Sequence, residues 1–144
     1  MRSLFTLLIL ALATAPALAQ SVRSGEYTLY YSTMPSTQLT PEVARATGTT
    51  RSASRALLNV AVRRDSEDGL GAPVEADIRV TARNAVGQLQ TPQLRAFRED
   101  GAIYYLGQLR HAEGETLDIE IEARVEGHPR PIRVRLRQDF HGGP

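Results

Sequence analysis

The chain has 144 residues, with 17 basic and 16 acidic side chains, three histidines and no cysteine. A formal charge of +1 lacks the basic excess that nucleic acid or an anionic membrane surface would need as main partner. Zero cysteine excludes disulfides, a thiol nucleophile and thiolate metal sites.

The opening run, "MRSLFTLLILALATAPALAQ", has Arg2 before an apolar stretch from Leu4 to Ala15, a break at Pro16, and the small-residue exit Ala17-Leu18-Ala19. That is the three-part pattern of a secretory signal, and the run is too short to span a bilayer, which takes about 20 apolar residues. The expectation is cleavage after Ala19, export to the periplasm, no membrane insertion afterwards, and one domain over residues 20–144. Cleavage removes Arg2 and no acid, which makes the mature chain formally neutral. About 125 residues is an ordinary size for a single domain with its own core.

Down the chain, a first strand is expected at Glu26–Ser32. The stretch "LTPEVARATGTTRSASRALLNVAV", Leu39 to Val62, then starts as a helix and ends as a buried strand. Thr40 suits an N-cap, Pro41 the first helical position, Glu42 the positive end of the dipole, and Gly48 the C-terminal stop. Val43 and Ala46 are the expected inward residues, with Leu39 at the entry. A helix of two turns is unstable alone and must dock, and the long connection from Thr33 to Arg55 predicts a crossover between sheets that plugs an open end. Ala56–Arg64 follows as a strand with Asn59 in its middle, and a buried Asn59 must be hydrogen-bonded, here expected to pin the loop backbone.

Period-two alternation dominates the rest. "VEADIRVTAR" sets Val74, Ala76, Ile78, Val80 and Ala82 on one face, "TLDIEIEARV" does so with Leu117, Ile119, Ile121, Ala123 and Val125, and "PIRVRLRQ" with Ile132, Val134 and Leu136. One apolar and one wet face marks antiparallel sheets over a shared core. Strands at Gln93–Glu99 and Ala102–Arg110, joined by the hairpin dipeptide Asp100-Gly101, bring the total to about seven, the number of an immunoglobulin-like antiparallel β-sandwich. In the last hairpin, Glu122 opposite Arg133, Glu120 opposite Arg135 and Asp118 opposite Arg137 would form a charge ladder that fixes register, with the turn at Gly127-His128.

Chemistry is sparse. "HAEGE" puts His111, Glu113 and Glu115 at alternate positions of a turn, a weak pattern for a divalent cation, and no cofactor or metal site is assigned. His128 falls in a turn and His141 in the terminal "HGGP". No metalloprotease, nucleophile-elbow, Walker or dinucleotide motif occurs, and no catalytic residue is assigned.

"LTPEVARATGTTRSASRALLNVAV", with "NAVGQLQ" (Asn84 to Gln90) and "DGAIYYLGQL" (Asp100 to Leu109), resembles a family of exported Gram-negative bacterial proteins, domain-of-unknown-function family 4426. The likeness covers essentially the whole mature chain and implies an immunoglobulin-like periplasmic β-sandwich with no assigned activity or cofactor.

The expected function is a non-catalytic binding or accessory module whose partner is another periplasmic or envelope protein. Loops on a rigid sandwich carry recognition, and Tyr and Arg anchor interfaces. The expected partner-binding residues are therefore Thr49, Thr50, Arg51, Ser52 and Arg55 of the Leu39–Arg55 loop, together with Tyr30 and Tyr104. Thr40, Pro41, Gly48 and Asn59 are expected to act structurally. The alternative is a small periplasmic enzyme or ligand carrier, which a deep pocket with convergent polar groups would favour. Strand addition at a long open sheet edge is a third possibility.

Overall fold

Period-two alternation becomes two antiparallel sheets that share one core. The structure, a computed structural model, describes residues 20–69 and 71–140; the expected leader and His141 lie outside that range. All seven expected strands occur, as β2 (Tyr27–Pro35), β3 (Arg55–Arg64), β5 (Asp77–Asn84), β7 (Arg95–Glu99), β8 (Ala102–Arg110), β9 (Glu115–Arg124) and β10 (Ile132–Phe140). Three more were not expected: β1 (Gln20–Ser24) and the two-residue pieces β4 (Ala72–Pro73) and β6 (Leu89–Gln90). One sheet runs β1-β2-β3-β8-β7, with β4 pairing β3, and the other runs β10-β9-β5-β6.

The inner faces hold the main core, including Leu29, Leu58, Val60, Val62, Leu109, Ile119, Ile121 and Ile132, all essentially inaccessible. Val74, Ala76, Ile78 and Leu136 pack against it half-buried. Asp100 (φ 40°) and Gly101 (φ 76°) are both left-handed, as a two-residue hairpin turn between β7 and β8 demands. The charge ladder has the expected register: Arg133 opposite Glu122, Arg135 opposite Glu120 and Arg137 opposite Asp118. Its ion pairs measure 3.3, 3.2 and 2.8 Å. Hydrogen bonding and charge from Arg137 hold the Asp118 carboxyl below the usual carboxylate range, and Arg124, then Arg133, do the same to Glu122.

The short helix, α1 (Pro41–Thr47), is capped as expected. The Thr40 hydroxyl accepts from the Val43 N–H at 3.2 Å, Pro41 opens the first turn, and Gly48 closes it at φ 67°. Its placement corrects two expectations. β2 and β3 are paired neighbours, with Pro35 opposite Ala56, so the connection between them stays within one sheet. The helix accordingly covers the outer face of that sheet, leaving the end of the sandwich alone. Leu58 and Val60 point into the main core, while Leu57, one residue out of phase, joins Met34, Leu39, Val43, Ala44 and Leu106 in a second cluster beneath α1. Fully burying a side chain such as Leu39, Leu57 or Leu106 stabilises by about 1.5–3 kcal/mol, and this contact, rather than helix propensity, holds a seven-residue helix in place. The buried helical residues are Val43, Ala44 and Thr47; Ala46, expected inward, is exposed. Thr47 can be buried because its hydroxyl donates to the Val43 carbonyl at 2.9 Å, satisfying its polar group within the helix.

Candidate functional site

The outer face of the six-stranded sheet brings together most of the expected site residues, in two groups separated by α1. The first group is the loop that follows the helix, and internal contacts fix it. Ser36, wholly buried, donates its hydroxyl to the Ser52 carbonyl at 2.8 Å and accepts from the Ser52 N–H at 2.9 Å. The Gln108 side chain makes the same two-way clasp on Thr50, accepting from its N–H at 3.1 Å and donating to its carbonyl at 2.9 Å. Thr49 shares a hydroxyl contact of 2.8 Å with Thr47. Arg51 donates to the Thr37 carbonyl at 3.2 Å. The loop is thus a rigid rim rather than a floppy linker, and Ser36 and Gln108, which pin it, had no signature in the sequence.

The second group borders the cluster beneath α1, against which Tyr104 and Phe97 pack. Tyr30 pairs with Ala61, and Phe97 pairs with Tyr104. The register that sets Val60 opposite Tyr105 brings Ala61 beside Tyr104 when continued by one residue. The result is a strip Tyr30–Ala61–Tyr104–Phe97 across four strands, with a small residue between two tyrosines. Tyr30 is 45% exposed, and Tyr104 and Phe97 are half-buried. The neighbouring tyrosines Tyr31 and Tyr105 belong to the main core.

Next to this strip, one rung closer to α1, Asn59 stands between Ser32 and Leu106. Its Oδ1 is buried and accepts no hydrogen bond. Asp65 Oδ2, equally enclosed, takes the Arg23 guanidinium at 2.8 Å, so Asn59 Oδ1 is the one buried side-chain oxygen left unpaired among the described residues. Asn59 therefore does not pin the loop backbone as expected; Ser36 and Gln108 do. An unpaired buried carbonyl costs about 1–3 kcal/mol, a cost that native structures seldom carry without a reason.

The His111 turn gathers no ligand set. The imidazole is buried and stacked on Phe140, with centroids 4.6 Å apart, and its Nδ1 lies 3.0 Å from the Ala112 carbonyl. Glu115 is engaged by the Ala112 N–H and by Asn84, and Glu113 is exposed. His128 instead meets Ser24 at 3.2 Å and the edge of Tyr27, which ties the first hairpin to the β9–β10 turn. No group of three or more His, Asp or Glu side chains suited to a metal occurs among the described residues. Two open depressions are formed by those residues. One of about 590 Å³ lies over the charged face of β5, β9 and β10, and one of about 630 Å³ is bordered by Asn84, Gln90, Arg110 and Glu115.

Comparison with solved structures matches this architecture to others. A Pseudomonas aeruginosa protein of the DUF4426 family superposes with a TM-score of 0.75 at 27% identity, over 89% of this chain and 98% of that one. FetP of uropathogenic Escherichia coli superposes with a TM-score of 0.62 at 12% identity, over 88% and 96% of the two chains. A copper-bound variant of FetP gives the same score at 13% identity, over 87% and 96%. At that identity the FetP likeness concerns the fold alone. No curated protein matches the chain in sequence. The model of the family described as "Domain of unknown function (DUF4426)" matches residues 21–142, nearly the whole described domain, and the chain belongs to that family.

Proposed function

We propose that this protein is an exported, non-catalytic binding module that recognises an envelope partner through the outer face of its six-stranded sheet. The aromatic strip at Tyr30 and Tyr104 would supply the contact. The pinned loop, with Thr49, Thr50, Arg51, Ser52 and Arg55, would form the rim on the other side of α1. The observation that carries this reading is the strip itself: an exposed tyrosine beside a half-buried one, over Ala61, with the unpaired Asn59 carbonyl next to them. Aromatic side chains presented on a rigid sheet give large contact area at small entropic cost.

Export rests on the leader pattern of residues 1–19, and FetP, which shares the fold, has been expressed in the periplasm. The copper of the FetP variant is not assigned to this chain, because at 13% identity the likeness concerns the fold alone.

The test is in-cell photo-crosslinking with p-benzoylphenylalanine placed singly at Tyr30, Ala61 or Arg51, against Arg135 on the opposite, charged face. One recurring protein adduct from the first three sites, absent from Arg135, is expected. Equal adducts from all four, or none from any, would refute a binding module at this face.

A further inference from the structure

Ion-paired arginines occur at both sheets, Arg23, Arg64 and Arg98 among them at the six-stranded one, while Arg83 of the four-stranded sheet forms no ion pair among the described residues. On the four-stranded sheet, Arg79, Arg124, Arg133, Arg135 and Arg137 each meet a carboxylate. Around α1 and its loop, Arg45, Arg51, Arg55, Arg95 and Arg110 form no ion pair among the described residues. Two of these are placed against each other: Arg55 of β3 is directly opposite Arg110 of β8. Directly opposed positions carry their side chains on the same face, about 4.5–5.5 Å apart at Cβ, and like charges there are destabilising. Arg51 joins the same end of the sheet, because its guanidinium reaches the Thr37 carbonyl, two residues beyond Pro35, which pairs with Ala56.

Three guanidinium-bearing residues therefore border the α1 end of the outer face, on a domain whose formal charge is zero once Arg2 is removed. Opposed arginines without a carboxylate partner give that end of the face a local positive field. Guanidinium groups favour carboxylates and phosphates through paired, forked hydrogen bonds. Arg55 and Arg110 are anchored on paired strands, and Arg51 is held beside them by its contact with the Thr37 carbonyl.

We infer that the Arg51–Arg55–Arg110 end of the face is an anion-recognition site for an acidic segment of the protein partner, whose carboxylates lie between Arg55 and Arg110. This deepens the binding-module reading and rests on it. An acidic peptide is favoured over a free inorganic anion for two reasons. The basic residues extend around α1 to Arg45 and Arg95 rather than converging on one enclosed point, and the same face continues into an aromatic strip, which suits a polypeptide.

The experiment titrates fluorescein-labelled hexaglutamate against the purified protein at low salt and follows anisotropy, while thermal melts are recorded without peptide. The wild type should bind, and Arg55→Gln and Arg110→Gln should each weaken binding about tenfold, the effect of losing one charge-assisted contact. Both variants should also melt about 1–4 °C higher, since each relieves an opposed like-charge pair. Arg135→Gln, on the far sheet, should leave peptide binding unchanged. No binding of hexaglutamate would overturn the inference, as would equal losses for Arg135→Gln or a lower melting temperature for Arg55→Gln and Arg110→Gln. Complete displacement by inorganic phosphate at equal concentration would assign the site to a free anion instead. Arginine-dependent sedimentation with phosphatidylglycerol vesicles, in the absence of peptide binding, would assign it to a membrane surface. Persistence of the Ala61 crosslink after a negative peptide result would leave the binding module standing without this specificity.

Discussion

Replacing Asn59 with leucine should stabilise the protein, the reverse of what a substitution in the middle of a central strand usually does. The Asn59 carbonyl is buried without a partner, between Ser32 and Leu106, on the face where Leu57 and Leu106 already form an apolar cluster. Removing an unpaired carbonyl recovers about 1–3 kcal/mol, and leucine is close to asparagine in shape, so little repacking is required. Because the residue as a whole is half-buried, a gain of about 1–2 kcal/mol is expected, near the lower end of that range. For a domain of this size that corresponds to a rise in melting temperature of roughly 3–8 °C. Differential scanning calorimetry and urea titration of the wild type and Asn59→Leu read the effect directly, with Asn59→Ala as the control that deletes the amide and leaves a void. A fall of more than about 2 °C for Asn59→Leu would show that the amide is satisfied in solution and belongs to the scaffold.

The loop clasp makes a separate prediction. Ser36→Ala removes both side-chain contacts to Ser52 and should cost about 1–3 kcal/mol, each contact being worth about 1 kcal/mol, with amide exchange at Arg51–Ser54 rising more than in β9. A loss confined to global stability, with the loop still protected, would show that Gln108 alone holds it. The acid side follows from the charge ladder. Asp118 and Glu122 have folded pKa values lowered by their arginines, so the stability they contribute is present above about pH 4, the unfolded carboxylate range, and is lost as pH falls through the lower folded values. Melting temperature should decline on acidification below that range. Asp118→Asn should flatten the decline and high salt should shrink it, as exposed pairs are screened. A profile unchanged by Asp118→Asn would place the acid sensitivity elsewhere.

The parts of the fold legible in the sequence are those where local chemistry and tertiary structure agree. The β9–β10 register is readable because three acids face three arginines at the same period, and a slip of one residue would turn the three charges of the slipped strand toward the core. Asp100-Gly101 and Thr40-Pro41-Glu42 announce a hairpin turn and a helix start by backbone preference alone. β1 has no signature in the sequence because "QSVRS" holds a single apolar residue, Val22, and is a strand only because β2 offers it an edge. The inward face of α1 differs from the expected one because a two-turn helix leaves more than one apolar face open, and Thr47 conceals its burial behind a hydroxyl that bonds its own helix. Which surface α1 covers depends on the order of strands in space. A sequence of period-two segments is silent on that order. The same holds for the candidate site: Tyr30, Tyr104 and Arg55 could be named as interface types, but the opposition of Arg55 to Arg110 and the solitude of the Asn59 carbonyl exist only once three strands are side by side.

The location of α1 within a hairpin also bears on how this surface can vary. β2 and β3 are already joined edge to edge, so the stretch from Ser36 to Ser54 is not needed to route the chain through the sandwich. A short turn would serve the topology equally well. The helix and its rim are in effect a third layer laid on a finished two-layer frame, touching it through the six-residue cluster around Leu57 and the clasps at Ser36 and Gln108. Changes of length or sequence in that layer alter the surface offered to a partner while leaving the strand order, the inter-sheet core and the charge ladder on the far side undisturbed.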